Sequence, residues 1–205
     1  MDKKAAKGQA TRAQIVSAAT ALFSTAGYEA TSIETVLATS GVSRGALYHH
    51  FDSKEALFVA VFEAMEARIA QATVDASRGI ADRVEAMRAG TEAFLDLSRD
   101  PAVRQIVLTD APAVLGWQKW REIDARFGFG LLKGSLKAAA AAGRLQPELV
   151  DVHAHILLAA MLEVALIIAR ADNPAEAARH GRAALNDLID KLLGPASHRP
   201  ARKTH

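Results

Sequence analysis

Residues 41–57, GVSRGALYHHFDSKEAL, gather the side chains best suited to chemistry: two adjacent histidines, a tyrosine, an arginine and a Lys54-Glu55 pair. A zinc site at His49 and His50 needs both rings on one ion, yet neighbours on a helix project about 100° apart, so no metal is expected there. With no cysteine in the chain, thiolate ligands, disulfides and a cysteine nucleophile are excluded. The residue types suit phosphates and base edges instead. Arg44 can fork onto a guanine edge, Ser43 can donate to a phosphate or base, and Gly45 leaves room for close approach. Tyr48 and His49 can hydrogen-bond phosphates, and Lys54 adds charge at the start of a helix, where backbone N–H groups already favour anions. Thr31 and Ser32 are expected to anchor the preceding helix in the same way.

The elements that must hold these residues are readable from apolar spacing. Ile15, Ala18, Ala19, Leu22, Phe23 and Ala26 form one stripe of an amphipathic helix over 11–26, and Gly27 stops it. Thr31 and Ser32 open a short helix through Ile33, Val36 and Leu37, which ends at Gly41. Ser43 caps the next, carrying Ala46, Leu47, His50 and Phe51, so that two short helices joined by a tight glycine turn make a helix-turn-helix. Leu47 and Phe51 are expected to face inward, His50 to pack or hydrogen-bond within the domain, and Arg44, Tyr48 and His49 to face out. Asp52 or Ser53 caps a longer helix through Leu57, Val61, Met65 and Ile69 that ends near Gly79. Five more helices are predicted over 80–99, 101–111, 115–142, 148–171 and 174–193, with Pro101, Pro112, Gly143, Pro147 and Pro174 at the joints. No strand-like alternation or internal repeat is present, so the expected fold is all-α with nine helices.

Gly27-Tyr28, Thr31-Ser32-Ile33, Gly41-Val42-Ser43, Gly45, Leu47 to Phe51 and Ser53-Lys54-Glu55 with Leu57 resemble the N-terminal DNA-binding domain of the TetR family of transcriptional regulators. The resemblance runs through about residues 11–58 and departs at Val36-Leu37, where the family usually has an Ile-Ala pair. It implies a nine-helix TetR-like architecture whose third helix reads double-stranded operator DNA, with a homodimer and a small-molecule effector as further partners. The organisation expected is a basic arm over 1–10, a helix-turn-helix domain over 11–53, a ligand-binding and dimerisation domain over 54–193 and a basic tail over 194–205.

Beyond that motif the candidates are thinner. GWQKWREIDARFGFG, residues 116–130, brings both tryptophans together with Arg121, Phe127 and Phe129, a set that suits either a pocket for an acidic or aromatic small molecule or plain core filling. Glu163 interrupts the apolar run Ile156–Ala169 and needs a partner, whether a ligand, a dimer seam or an internal arginine. His153 and His155 read as ordinary polar positions near a helix start. The helix from Pro174 carries Leu185, Leu188, Ile189 and Leu192 along one face and, with Met161 on the helix before it, is the expected dimer interface.

Composition bounds the rest. Half of the 205 residues are apolar, enough for a globular core. The net charge of +2 divides into +3 on residues 1–12, +3 on 194–205 and −4 between them, which excludes a uniformly basic coat. The N-terminus does not read as a signal peptide and the run Ile156–Ala169 is shorter than the ~20 residues a bilayer needs, so it is expected to be a buried helix of a cytoplasmic protein without a membrane partner. No cofactor is expected. The rival reading is an all-α enzyme or small-molecule carrier using Trp117, Trp120, Arg121, His153 and Glu163; it has no recognisable nucleophile-base spacing and leaves the N-terminal motif unexplained, so a non-enzymatic regulator is preferred.

Overall fold

The computed structural model describes residues 3–193, with side chains from Ala5 onward; the expected basic tail lies outside the described residues. Among the described residues every regular element is helical, in agreement with the all-α expectation. The α-helices are α1 (Lys3–Ala30), α2 (Ile33–Ser40), α3 (Arg44–His50), α4 (Lys54–Ser77), α5 (Arg83–Leu97), α6 (Ala111–Asp124), α7 (Gly130–Ala141), α8 (Val150–Arg170) and α9 (Pro174–Leu192). Two π-helical segments, Val103–Asp110 and Ala125–Phe129, flank α6, and a 3-10 turn, Pro147–Leu149, leads into α8. The chain forms two compact units, one from the chain up to Ile69 with Leu97–Asp124, the other from Ala70–Asp96 with the chain from Ala125 onward.

The first unit contains the helix-turn-helix. Ile15, Ala19 and Phe23 are fully buried, as the α1 stripe predicts, and join Leu47, Leu57, Phe58, Val61 and Phe62 in the core. The rings of Phe23, Tyr28 and Phe58 stand 5.0 to 5.8 Å apart in tilted and edge contacts. Helix α1 begins at Lys3 rather than residue 11, because Lys3–Ala10 is rich in Ala, Lys and Gln, all strong helix formers. Gly27 breaks it with φ 78° and ψ 171°, a region essentially closed to other residues. The break is clamped from outside: Asp110 accepts the Tyr28 N–H at 2.8 Å and the Gln105 side-chain amide at 3.0 Å.

The sequence predicts a joint at Pro112, but the chain remains helical there. The Ala111 N–H reaches the Ile106 carbonyl five residues back, so the ladder changes register beside the one residue that has no N–H to donate. The single helix predicted over 115–142 is instead interrupted by Gly116, at φ 75°, and by the π-helical Ala125–Phe129.

In the second unit Leu95, Ile168, Ala178 and Leu185 form a buried cluster, flanked by Phe94, Met161 and Val164. Arginines clamp α5 to α9: Arg182 donates to Glu92 and, at 2.5 Å, to Asp96, while Arg88 donates to Asn186 at 2.9 Å and Asp190 at 2.5 Å. At Gly181 a β-carbon would collide with the Val164 side chain, so α8 and α9 approach closely where glycine permits it. The apolar stretch expected to be buried is helical over Pro147–Arg170, long and apolar enough to cross a membrane by composition, yet only about a third of its most apolar window is buried. Val152, Ile156 and Ile167 are about half exposed on its outer face.

Candidate nucleic-acid interface

Capping chemistry positions the recognition surface. The Ser32 hydroxyl accepts the Thr35 N–H at 3.0 Å and starts α2; Gly41, left-handed at φ 67°, ends it by donating to the Leu37 carbonyl at 2.9 Å. Ser43 accepts the Ala46 N–H at 3.3 Å and starts α3, and Ser53 accepts the Ala56 N–H at 3.0 Å at the head of α4. The Gln14 side chain donates to the Ser40 carbonyl at 2.7 Å, tying α1 to the end of α2. Leu47, with no exposure, and Phe51, at 4%, anchor α3 by its inner face. Its outer face carries Arg44, Gly45, Tyr48 and His49, all exposed. A β-carbon on Gly45 would meet nothing within 4 Å, so that spot is free for the close approach of another surface.

Charge on this face is held in place. Arg44 donates to Glu34 on α2 at 2.8 Å, with both side chains more than half exposed, and this hydrogen bond keeps the Glu34 carboxyl below its usual range. Lys54 sits 4.1 Å from the Tyr28 ring centroid and donates to the Glu29 carbonyl at 3.4 Å, which aims its ammonium from the first turn of α4. Ser32 is exposed, though its hydroxyl already serves as a cap and lies 2.9 Å from that of Thr35. Thr31 does not join this surface: it is 2% exposed and its hydroxyl donates to the Gly27 carbonyl at 2.8 Å, closing the break in α1. Its predicted anchoring role is therefore corrected to an internal one. His50 is half-buried, its ring 5.2 Å from that of His49. Sequence reasoning missed Glu34, whose signal is an acid in the first turn of α2 facing the arginine of the next helix.

Of the predicted ligand residues, the structure gathers Trp117, Trp120 and Arg121 on α6 in the first unit, with ring centroids of the tryptophans 4.9 Å apart and the Arg121 guanidinium 6.0 Å from Trp117. Trp120 is buried and Trp117 is 66% exposed. Phe127 is half-buried and belongs to the second unit, and Glu163 is exposed on α8. Two acids were missed. Glu66 on α4 and Asp124 on α6 are each 5% exposed, and burial pushes the Glu66 carboxyl up to about 8 and that of Asp124 up to about 6; the Asp124 charge raises Glu66 further, while Arg121, at 3.4 Å, opposes the rise at Asp124. Their signal was legible: Glu66 lies one turn from Phe62 and Asp124 one turn from Trp120, so both fall on apolar stripes.

Two of the expected dimer residues, Leu185 and Ile189, need correction. Leu185 and Ile189 are 3% and 2% exposed, covered within their own unit, and Met161, Leu188 and Leu192 are half-buried. The apolar face of α9 turns toward its own chain, and the uncovered apolar stripe lies on α8.

A short cap-turn-cap pair, a helix anchored by two inward apolar residues and an outer face of arginine, glycine, tyrosine and histidine define a DNA-binding helix-turn-helix protein. Residues 15–61 match the family of bacterial regulatory proteins described as tetR family, and residues 84–192 match the tetracyclin repressor-like C-terminal domain. The chain belongs to the TetR family of DNA-binding transcriptional regulators. Over 61 residues it is 41% identical to the HTH-type transcriptional regulator UidR of Escherichia coli strain K12, covering 30% of this chain and 31% of that protein, so the match spans about a third of that relative. The HTH-type transcriptional repressor NicS of Pseudomonas putida strain KT2440 is 27% identical over 162 residues, 77% of this chain and 76% of that one. A TetR-family regulator from Pectobacterium atrosepticum superimposes with a TM-score of 0.81 at 28% identity, covering 96% of this chain and all of that one.

Proposed function

We propose that the protein is a cytoplasmic, ligand-responsive repressor that binds a near-palindromic operator as a homodimer. The observation that carries this reading is the outer face of α3, where Arg44, Gly45, Tyr48 and His49 are exposed around a buried Leu47 and are flanked by Ser32 and Lys54. Arg44 reads a guanine edge after release from Glu34, Gly45 permits close approach, and Tyr48, His49, Ser32 and Lys54 grip phosphates. Two copies then read half-sites one helical turn, about 34–36 Å, apart.

The uncovered stripe of α8, Val152, Ile156, Glu163 and Ile167, supports the dimer, together with a groove lined by Val164, Ala177, His180, Gly181 and Ala184. Glu163 is at home in such a seam, where a partner's polar group can meet it without loss of hydration in the free chain. Helix α4 carries the message: it begins at Lys54 beside the phosphate contacts and its chain continues to Ser77 in the second unit. Effector binding near Trp117, Trp120 and Arg121 shifts α4 and alters the separation of the two recognition helices, so both half-site contacts weaken together.

Footprinting on the upstream region of its own gene, and selection from genomic fragments at stated salt, tests the core of this reading. A protected near-palindrome is expected; failure to protect any fragment refutes it. Arg44→Ala is expected to relax base preference at one position, and Lys54→Ala to weaken all sequences similarly and flatten the salt dependence.

A further inference from the structure

The start of α1 carries charge that the rest of the chain leaves unused. Helix α1 contains Lys3, Lys4, Lys7 and Arg12 and no acid before Glu29. The helix dipole favours negative charge at that end, so cations there do not serve the stability of α1 itself. Nor do they serve an internal ion pair: Lys7 and Arg12 are exposed, and among the described residues neither meets a carboxylate.

The position of the helix gives that charge a use. Successive contacts lay α1 along the helix-turn-helix. Gln14 donates to the Ser40 carbonyl at 2.7 Å, the Arg12 guanidinium lies 5.1 Å from the centroid of the Phe51 ring, and a β-carbon at Gly8 would meet the His50 ring at 4.0 Å. Followed toward its start, α1 therefore passes the end of α2, then the C-cap of α3, then the last residue of α3, whose neighbour His49 is exposed. Lys7 comes next, so its ammonium is carried at the C-terminal end of the recognition helix, the end opposite Arg44. The stretch expected as a separate arm is continuous helix, fixed two turns further on by the fully buried Ile15.

We propose that the start of α1, through Lys7, grips operator phosphates beyond the C-terminal end of α3. Arg12, packed on Phe51, positions that turn of helix. The occupant is the sugar-phosphate backbone rather than a base edge, because an ammonium is a point charge that meets phosphate without reading sequence. The surface is continuous with the outer face of Arg44, Gly45, Tyr48 and His49. The inference rests on the DNA-binding reading above and adds to it a contact from outside the helix-turn-helix, held in one place by a helix.

The test follows binding of the full chain to an operator defined by footprinting of the wild type. Each phosphate contact adds about 0.9 to the slope of log affinity against log salt, or about 3.5-fold in affinity between about 50 and about 200 mM salt. Lys7→Ala is expected to lower that slope by about 1 per bound protomer and to leave base preference unchanged. Its Tm should not fall, since alanine is the better helix former and the opposed charge is gone. Lys7→Arg should retain the wild-type slope. Ala10→Pro keeps every cation but breaks the helix between Lys7 and Ile15, and is expected to lower the slope as Lys7→Ala does. Should it fail to fold, Lys7→Ala and Lys7→Arg carry the test. Lys191→Ala removes an exposed lysine on α9, changes net charge equally and should leave the slope unchanged.

A wild-type slope in Lys7→Ala overturns the contact, and a wild-type slope in a folded Ala10→Pro overturns its helical placement in favour of a loose tail. An equal loss in Lys191→Ala assigns the effect to net charge and overturns the proposal, as does a changed base preference in Lys7→Ala, which marks a base contact. No operator binding by the wild type refutes the regulator reading itself, whereas operator binding that no α1 variant alters refutes this contact alone.

Discussion

Replacing Glu66 with Gln should change how stability depends on pH, and the size of the change follows from burial. The Glu66 carboxyl, ordinarily near 4.5, is raised to about 8 in the folded chain. Because the folded value is the higher one, the unfolded chain ionises first: the wild type is most stable below about pH 4.5, loses stability as pH rises toward 8, and levels off above it. At 1.36 kcal/mol per pH unit the whole window is worth about 5 kcal/mol, of which about 3 kcal/mol falls between about pH 5.5 and about pH 8.5. Asp124 titrates in both proteins and cancels to first order when they are compared. Urea unfolding at fixed protein concentration, which removes the contribution of association, is the assay. The stability of Glu66→Gln relative to wild type should climb by about 3 kcal/mol across that interval. A difference that stays flat to within about 1 kcal/mol would refute the raised ionisation of the buried Glu66 carboxyl.

Three further outcomes are expected. Gly27→Ala places a β-carbon 3.1 Å from the Gln105 amide at φ +78°, and should cost about 1–3 kcal/mol in thermal or urea unfolding. Gly181→Ala drives a methyl group into Val164 and should destabilise the second unit by about 1–3 kcal/mol, seen as a lower Tm; Val164→Ala in the same chain should recover part of the loss. Ile156→Glu, at a position 49% exposed, should leave the Tm of the dilute chain nearly unchanged while shifting sedimentation from dimer to monomer at micromolar concentration; an unaltered dimer would place the seam elsewhere.

The part of the fold that was legible was the part written in local chemistry. Ser32, Gly41, Ser43 and Ser53 take the capping or left-handed positions that their types suggest, because each bond spans only three or four residues of chain. Boundaries in the second half were lost where a helix changes register: nothing in VRQIVLTD or ARFGF distinguishes an i,i+5 ladder from an i,i+4 one. The direction of α9 was misjudged for a different reason. Periodicity identifies the apolar face of Leu185 and Ile189 but not the surface that covers it, and here the cover comes from α8 and α5 of the same chain. Thr31 shows the opposite failure, a cap-type residue whose hydroxyl found a nearer acceptor at Gly27. Glu66 and Asp124 lie among other charged residues, Glu63 and Arg68 or Glu122 and Arg126, and so stand out less in sequence than Glu163, which alone breaks an apolar run.

The Asp110 clamp on Tyr28 bears on how such regulators can be cut and recombined. The match to the N-terminal family domain ends at residue 61, which invites grafting a foreign reading head at that point. Yet the compact unit is discontinuous in sequence: Asp110 holds the Gly27 break from a segment some eighty residues away, and Ile106 and Trp120 are buried in the same unit. A transplanted head that leaves 97–124 behind loses the strut of its first helix. Functional chimeras are therefore expected to carry the two pieces together, as a split module whose halves travel as one.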